Sequence, residues 1–266
     1  MFLEIKNFIT RILIMAYAFI PYSLKQNYED YTSEDFAVWH TLFERQMKIL
    51  PSIASKNYLG GIEKVEFTAD KIPNYAETNK ILERLTGWQI HVVPGHIENK
   101  PFFELMRAKN FCASTWLRKR DQLDYLQEPD MFHDTFGHVP MLSDKNVCNF
   151  LEELGRIALR FIDDAQCIEC ISRIYWYTIE FGLIKEDNAL KIYGAGILSS
   201  SGESEYSVHS AMPKRLPFNV ETIINTPFKI DAFQEIYFVL ESYEQLFNSV
   251  ADIEKNLENI YSLAHH

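Results

Sequence analysis

Two histidines, His133 and His138, lie within residues 128–140, a stretch that also holds carboxylates but is otherwise mostly apolar or aromatic. Paired imidazoles in such surroundings are typical of a metal site in a largely dry pocket. Neutral imidazoles suit iron, zinc, copper and nickel, so the pair alone does not identify the metal. A third ligand must come from another part of the chain.

The five-residue spacing separates the two imidazoles by about 140° on an α-helix, so they cannot share one face as the histidines of an HExxH motif do. We expect Gly137 to end a helix between them and to turn His138 back toward the metal. The alternative is two ordinary polar residues at a helix end. A pair of histidines that flanks a glycine in apolar surroundings favours the metal.

Glu180 is the natural third ligand because it lies in the most aromatic run of the chain, residues 175–181. An unpaired carboxylate is unfavourable in such surroundings, and a cation would remove that penalty. An ion pair with Arg173 is the alternative. Two histidines and one carboxylate are the ligands of non-haem Fe(II) oxygenases. A thermolysin-like zinc site uses the same ligand types, so iron and zinc both stay open.

The composition limits the possible partners and the cellular compartment. The 266 residues carry a formal net charge of −11, which argues against binding nucleic acid and favours a small-molecule partner. Four cysteines are few for this length and indicate a reducing cytoplasm. Cys167 and Cys170 form a CxxC pair, which we interpret as two small apolar residues of a helix rather than a redox or metal site.

The first 21 residues call for a separate interpretation. An apolar run over residues 12–20 follows Lys6 and Arg11, so a signal peptide is conceivable, although the run is too short to span a bilayer. We prefer an upstream start codon, with Met15 as the first native residue. Residues 1–21 are then an N-terminal extension, and residues 22–266 form one domain.

The elements around the histidines are predicted to be mainly helical. A capping signature at 32–35 begins a helix that Pro51 ends, and Gly60-Gly61 indicates a turn. Apolar spacing predicts further helices over 76–85, closed by Gly87, and from Pro101 onward. Residues 88–93 read as a short strand.

After the histidines, three- and four-residue apolar spacing predicts helices over 147–161 and 168–184, the second buried centrally. Residues 191–202 are glycine-rich and predict a strand or hairpin whose backbone lies close to another group. One or two helices should close the chain from residue 232. The fold class is therefore mainly α, one domain with a few short β-strands.

Several long motifs resemble those of a known family. They are EPD (128–130), HDTFGHVP (133–140), IYWYTIEFGL (174–183) and YGAGILSS (193–200). With these motifs in this order, from about residue 31 to residue 248, the chain resembles the pterin-dependent aromatic amino acid hydroxylases, most of all bacterial members that act on phenylalanine.

The resemblance implies a mononuclear Fe(II) centre, a tetrahydropterin and conversion of L-phenylalanine to L-tyrosine with dioxygen. The implied metal ligands are His133, His138 and Glu180. The pterin would lie against Phe102, with its edge meeting the backbone around Val93, Gly95 and Ile97. Without the resemblance, Phe102 would be read as simple core packing. Hydroxylation of tryptophan or tyrosine, and a zinc hydrolase with Asp134 as general base, are the alternatives.

The resemblance also implies the substrate site. Arg118 would bind the substrate carboxylate, although residues 118–120 alone look like a solvated basic cluster. The other implied residues are Ser199 beside the substrate and a histidine ligand, Tyr125, Trp176 and Phe181 around the ring, Asp134 on the pterin side and Tyr175 close to the iron. Leu126-Gln127 stands where many members have a proline. We expect neither the regulatory domain nor the long tetramerisation arm of animal members, and allosteric activation of that type should be absent. The expected assembly is a monomer or small homo-oligomer.

Overall fold

The structure is a computed structural model that describes residues 24–124, 126 and 128–265. The expected N-terminal extension, residues 1–21, and the predicted substrate residue Tyr125 lie outside the described residues. Helices dominate the described part, which confirms the mainly α prediction. None of the helices in that part has the length and apolar composition that a membrane span requires.

The α-helices are introduced here in chain order. They are α1 Ser33–Met47, α2 Leu50–Ile53, α3 Lys56–Lys64, α4 Tyr75–Leu85, α5 Asn99–Arg107, α6 Lys145–Arg160, α7 Ala165–Tyr175, α8 Ala195–Leu198, α9 Ser201–His209, α10 Val220–Ile224, α11 Tyr243–Asn248 and α12 Val250–His265. Two π-helices, Phe132–His138 and Trp176–Glu180, and three 3₁₀ turns, Tyr28–Asp30, Arg120–Gln122 and Val139–Ser143, complete the helical elements of the described residues.

Side chains start several of these helices by binding their free backbone N–H groups. The Thr32 hydroxyl accepts from the Asp35 N–H and the Asp35 carboxylate accepts from the Thr32 N–H, which confirms the capping signature of α1. Asp144 and Asp164 cap α6 and α7 in the same way. Gly87 follows α4 with a φ of +79°, as its predicted role at a helix end requires.

The strands form two small sheets. They are β1 Gln89–Val92, β2 Asn110–Ala113, β3 Leu183–Glu186, β4 Ala189–Ile192, β5 Lys214–Pro217 and β6 Ile236–Leu240. β1 pairs with β2 in parallel, and the second sheet has the order β4-β3-β6-β5, in which only β3 and β4 are antiparallel. The strand β6 lies where the sequence predicted a helix. Its Ile-Tyr-Phe-Val-Leu run suits a strand that is paired on both sides.

The turn predicted at Gly60-Gly61 is also wrong, because both glycines lie within α3. A Cβ on Gly61 would lie 2.3 Å from the backbone oxygen of Pro140, in the 3₁₀ turn that follows the first π-helix. Gly61 therefore allows α3 to approach that turn closely. The glycine marks close packing between elements rather than a reversal of the chain.

The predicted helix over 168–184 and the predicted strand or hairpin over 191–202 are each correct only in part. α7 passes into the second π-helix at Trp176, and β3 begins at Leu183. β4 ends at Ile192, and α8 follows it. Close packing against the end of the second π-helix explains the glycines here, because a Cβ on Gly194 would lie 2.5 Å from the backbone oxygen of Glu180.

The first π-helix runs through the main hydrophobic core. Phe132 and Phe136 are fully buried and stack with ring centroids 4.7 Å apart. Trp39 of α1 meets Phe132 edge-on at 5.4 Å, and the Tyr58 hydroxyl of α3 donates to the backbone oxygen of Phe136 at 2.8 Å. Packing on several sides thus holds the segment that carries both histidines.

Candidate metal centre

The structure brings together the three predicted metal ligands. The Nε2 of His138 lies 3.2 Å from Glu180 Oε1, and the Nε2 of His133 lies 3.5 Å from Glu180 Oε2. The two Nε2 atoms are 3.3 Å apart. All three candidate ligand atoms lie within 4.8 Å of one another, and His138 is buried against Phe111 with ring centroids 4.7 Å apart. The donor set therefore fits one metal ion with positions left open on its other side.

The backbone conformation explains the five-residue spacing of the histidines. Residues Phe132–His138 form a π-helix, in which hydrogen bonds join residues five apart rather than four. Side chains at i and i+5 then lie on the same side, and the two imidazole centroids are 5.0 Å apart. The prediction that Gly137 ends the helix is wrong, because the helix continues through it to His138.

Gly137 has a packing role in this arrangement. A Cβ on this residue would lie 2.9 Å from the backbone oxygen of Ala195 and 3.0 Å from the Ala195 Cβ, at the start of α8. The glycine lets the π-helix lie directly against α8. This contact also brings Ser199, just after α8, to the metal ligands.

The second π-helix repeats the same geometry. The Phe181 N–H donates to the Trp176 oxygen, a hydrogen bond across five residues, and the rings of these residues lie 4.6 Å apart. Tyr175 and Glu180 are also five apart. This short helix and the residue that follows it therefore supply the carboxylate ligand and two rings of the predicted substrate wall.

Ser199 determines which nitrogen of His133 faces the other ligands. The Ser199 hydroxyl donates to the backbone oxygen of Ala195 at 2.8 Å, so its oxygen accepts from His133 Nδ1 at 2.9 Å. With the proton on Nδ1, the lone pair of Nε2 points toward Glu180. A hydrogen bond of this kind orients a histidine ligand and makes it a better donor to a metal.

Burial and charge set the protonation of the ligands. Burial lowers the pKa of His133, although Glu180 opposes the shift, and this favours the neutral imidazole that a metal requires. Burial alone would raise the pKa of Glu180, but His138 and His133 outweigh it and hold that pKa below its ordinary value. The alternative partner of Glu180, Arg173, instead pairs with Glu169 and donates to the backbone oxygen of Ile224.

Arg118 is buried and not part of a solvated basic cluster. Its Nε and Nη2 donate to the two oxygens of Asp130 at 2.9 and 2.8 Å, and its backbone N–H donates to the same carboxylate at 2.9 Å. Asp130 also accepts from the His133 backbone N–H at 3.2 Å. The guanidinium has three further N–H groups, including a pair at its outer edge, that suit a second carboxylate.

Two residues of the predicted substrate wall, Trp176 and Phe181, lie in contact. A third ring, Phe228, stacks on Trp176 with centroids 4.3 Å apart and planes at 15°. The indole N–H of Trp176 donates to Gln234 Oε1 at 3.0 Å. The wall is thus completed by residues from the segment between α10 and β6.

The predicted pterin residues form a hydrophobic cluster apart from the main core. Val93, Ile97 and Leu105 are buried there, with Phe102 packed against them. Phe102 also meets Tyr175 edge-on, with ring centroids 5.6 Å apart. The Val93 N–H donates to the Ala113 oxygen, so this residue can offer a ligand only its carbonyl. Gly95 has a φ of +151°, which suits glycine.

Asp134 directly follows the candidate ligand His133 in the first π-helix. Its Oδ2 accepts from the backbone N–H of Ser114 at 2.7 Å. Burial raises the pKa of Asp134, while His133 and the Ser114 N–H oppose that shift. Burial likewise raises the pKa of the Tyr175 hydroxyl well above its ordinary value, so this phenol stays protonated.

Sequence reasoning assigned no role to several residues that the structure places here. Asp130 belongs to a quoted motif, and a carboxylate three residues before a histidine in an apolar run is a signal that could have found it. Phe228 and Gln234 gave no such signal, because they lie more than 50 residues from Trp176 in the chain. Their contacts follow only from the folded arrangement.

Comparisons of the sequence with known proteins all indicate the same family. A family model described as biopterin-dependent aromatic amino acid hydroxylase matches residues 8–266. The chain is 44% identical over 230 residues to a phenylalanine-4-hydroxylase of Chromobacterium violaceum, covering 86% of this chain and 77% of that protein. It is 43% identical over 228 residues to a phenylalanine-4-hydroxylase of Ralstonia nicotianae, covering 86% and 72%.

Solved structures show the same likeness. The Chromobacterium violaceum phenylalanine hydroxylase with bound iron(III) and the oxidised cofactor 7,8-dihydrobiopterin matches with a TM-score of 0.84 and 43% sequence identity. The match covers 89% of this chain and 86% of that one. The similarity therefore extends over most of both chains, including the segments that carry the three candidate ligands.

Proposed function

This chain belongs to the biopterin-dependent aromatic amino acid hydroxylases, and from that premise we propose that it is a phenylalanine 4-monooxygenase. It converts L-phenylalanine to L-tyrosine with dioxygen and a tetrahydropterin at a mononuclear Fe(II) centre. One observation carries the proposal: Asp130 joins the Arg118 guanidinium to the backbone of the metal ligand His133. A group suited to an amino acid carboxylate thus lies one side chain away from the metal ligands.

The proposed iron ligands are His133, His138 and Glu180. Together, the bound iron and tetrahydropterin supply the activation of dioxygen that ring hydroxylation requires. The protein keeps the ligands ready for the metal: Ser199 holds the proton of His133 on Nδ1, and burial keeps that imidazole neutral. Glu180 stays ionised between the two histidines.

Arg118 binds the carboxylate of the substrate in this proposal. Its Nε and Nη2 are held by Asp130, so the outer edge of the guanidinium is oriented before the substrate arrives. A planar guanidinium binds a carboxylate through two parallel hydrogen bonds, which fixes direction as well as position. This orientation sets where the aromatic ring of the amino acid lies relative to the iron.

Trp176 and Phe181 orient the substrate ring, and Tyr125 is proposed to join them. Their packed aromatic surfaces also exclude water from the place where the ring reacts. On the other side, Phe102 would hold the pterin, together with Val93, Gly95 and Ile97. An aromatic face suits a flat heterocycle, and backbone groups suit its polar edge.

We propose that Asp134 and Tyr175 are catalytic residues on the pterin side of the iron. Tyr175 contacts Phe102 and precedes the helix that ends in Glu180, so it lies between the two sites. Asp134 accepts from the backbone N–H of Ser114 and presents a half-buried carboxyl group beside His133. No side chain needs to act as a nucleophile in this proposal.

The experiment that tests this function is a competition between substrates. Purified protein is loaded with Fe(II) and incubated in air with tetrahydrobiopterin and equal concentrations of phenylalanine, tryptophan and tyrosine, and the products are separated by chromatography. We expect tyrosine to form from isotopically labelled phenylalanine as the main product. Absence of any hydroxylated ring with iron bound would refute the proposal, and a hydroxylated tryptophan or tyrosine as main product would identify the alternative substrate.

Comparison of the Fe(II) form with a Zn²⁺ form of the same protein separates the hydroxylase from a hydrolase with the same ligands, because a hydrolase would hydroxylate no ring with either metal. We expect the zinc form to give no ring hydroxylation, since Zn²⁺ has no redox chemistry.

We also propose that residues 22–266 act as one catalytic domain in the cytoplasm, as a monomer or small homo-oligomer, without binding nucleic acid. The four free cysteines and the net charge of −11 support this setting.

A further inference from the structure

The segment 225–235, between α10 and β6, covers Trp176. Phe228 stacks on the indole, and the Tyr177 hydroxyl donates to the backbone oxygen of Pro227 at 2.7 Å. Most of the segment faces solvent: Ile230 is 75% exposed and Phe233 is 50% exposed. Gln234 differs, because it is only 3% exposed. A buried amide in an exposed segment needs hydrogen bonds that compensate for the lost contact with water.

The amide of Gln234 is satisfied at both ends. Its Oε1 accepts from the indole N–H of Trp176 at 3.0 Å, and its Nε2 donates to the backbone oxygens of Lys229 and Ala232 at 2.9 and 3.2 Å. An indole nitrogen can only donate and a carbonyl oxygen can only accept, so only one orientation of the amide satisfies all three partners. The position of the indole N–H follows from that orientation.

The backbone of Gln234 is held as well. Its N–H donates to Glu203 Oε1 at 3.1 Å, and the Tyr237 hydroxyl donates to the same oxygen. Glu203 lies in α9 and is buried. Gln234 is therefore held by its own segment and by Glu203 of α9, which Tyr237 of β6 holds in turn. A single directional hydrogen bond then joins this fixed side chain to Trp176.

We infer that Gln234 is a positioning residue: it fixes the rotation of Trp176 and thereby determines which aromatic ring the substrate site accepts. The inference rests on the proposed function, in which Trp176 forms part of the substrate wall. Phe228, which stacks on the indole, and Phe181, which is tilted against it, hold the plane of the indole, but such ring contacts tolerate sliding and rotation within that plane. The bond to Gln234 removes this freedom and keeps the wall in one position.

The first test replaces Gln234 by leucine, which has similar size but accepts no hydrogen bond. We expect the KM for phenylalanine to rise by about tenfold, the loss that follows from about one hydrogen bond. The KM for the pterin and the bound iron should stay unchanged. The ratio of tryptophan to phenylalanine kcat/KM should rise by a similar factor. Ile230→Ser, an exposed change in the same segment, is the matched control and should leave all of these values unchanged.

The second test is a double-mutant cycle with Trp176→Phe, which keeps a ring and removes the indole N–H. If Gln234 acts through the indole, Gln234→Leu adds no further change in substrate preference to Trp176→Phe. An equal effect of Gln234→Leu in both backgrounds would overturn the inference, because Gln234 would then act through its segment alone. Should Gln234→Leu not fold, Gln234→Asn keeps the amide but shortens its reach, and the same shift in preference is expected.

These outcomes separate the inference from the proposed function. A wild-type protein that hydroxylates no aromatic amino acid contradicts the proposed function. A wild-type protein that hydroxylates phenylalanine, with unchanged KM and unchanged preference in folded Gln234→Leu, contradicts the inference alone.

Discussion

In the metal centre, two of three ligands come from one seven-residue helix, and their five-residue spacing is matched by the π-helical repeat. In the aromatic wall, Trp176 and Phe181 share the same kind of repeat, but the indole also depends on Phe228 and Gln234, which lie far along the chain. Local backbone geometry thus accounts for the pair of histidines. Contacts between distant segments complete the proposed substrate wall.

This difference indicates how the two regions should respond to substitution. Changes at the metal centre should remove activity as a whole, because each ligand is needed for the metal. Changes around the wall and the carboxylate site should alter substrate affinity and preference while the iron stays bound. Substitutions in each region therefore separate loss of the metal from loss of substrate affinity.

The largest effect is expected for Glu180→Ala. Two imidazoles alone leave the metal without its carboxylate, so we expect at least a 100-fold loss of iron affinity and of hydroxylation, roughly the upper range for loss of a supporting ligand contact. Metal analysis after dialysis measures the bound iron, and an assay of tyrosine formation measures hydroxylation, while thermal unfolding shows whether the variant is folded. Glu169→Ala, which removes an exposed carboxylate from α7, is the control. Full iron content in Glu180→Ala would remove Glu180 from the site.

Arg118→Lys should affect the substrate and leave the metal in place. A lysine cannot form the two parallel hydrogen bonds that join Arg118 to Asp130, and it presents no planar fork to the substrate. We expect the KM for phenylalanine to rise by about 10- to 100-fold, on the order of 1.5–3 kcal/mol for a charged hydrogen bond. Steady-state kinetics with phenylalanine and with the pterin measure the two KM values. Arg120→Lys is the control, and a raised pterin KM with unchanged phenylalanine KM would contradict the assignment.

Gly137→Ala tests whether close packing places the first π-helix. The new methyl group would lie 2.9 Å from the Ala195 oxygen, so we expect a loss of about 1–3 kcal/mol in the free energy of unfolding. Gly60→Ala in α3 is the matched control, because nothing lies within 4 Å of a Cβ there and a helical alanine should stabilise by up to about 1 kcal/mol. Denaturant unfolding compares the two. Equal stability of both variants would refute the packing argument.

The smallest effect concerns Glu203, which supports the wall through Gln234. Burial raises the pKa of Glu203, so the folded protein holds this proton more tightly than the unfolded chain. Its contribution to stability is therefore full at low pH and decreases as the pH rises above the ordinary carboxyl pKa. Glu203→Gln keeps an oxygen acceptor and cannot ionise.

We expect this variant to gain stability relative to wild type as the pH rises from 5 to 8, by about 1 kcal/mol or less, since each unit of pKa shift corresponds to about 1.4 kcal/mol. Melting temperatures across that pH range measure the difference. Glu205→Gln, an exposed change in the same helix, is the control. If Glu203→Gln instead loses stability relative to wild type as the pH rises, the effect has the opposite sign and contradicts the argument.

The sequence predicted much of the metal centre because its chemistry depends on residue types that are rare in apolar surroundings. Each of the three candidate ligands needs a polar partner in such surroundings. In the structure, the partners are the ligands themselves, because the side chains of His133, His138 and Glu180 lie together. Capping residues and apolar periodicity also predicted α1, α4 and α6 to within a few residues. These signals act over a few neighbouring residues, so they can be read without the fold.

The π-helices could not be predicted from such signals. On an α-helix, the two histidines can meet only if Gly137 ends the helix and turns His138 back. The i to i+5 repeat of the π-helix places them on the same side without such a turn. The strand β6 was missed for a related reason: its apolar run fits a helix or a strand, and pairing with β3 and β5 decides between them. Gln234 was missed because nothing near it in the chain indicates that it meets an indole.

The carboxylate of Asp130 has a thermodynamic consequence for the whole site. It accepts hydrogen bonds from Arg118 and from the His133 backbone, so a substrate carboxylate on Arg118, as in the proposed function, would act on the same acceptor that holds the metal-ligand segment. Linkage requires such coupling to be reciprocal: if phenylalanine tightens the binding of iron by some factor, iron tightens the binding of phenylalanine by the same factor. An amino acid that binds the proposed carboxylate site would then also stabilise the iron-bound protein.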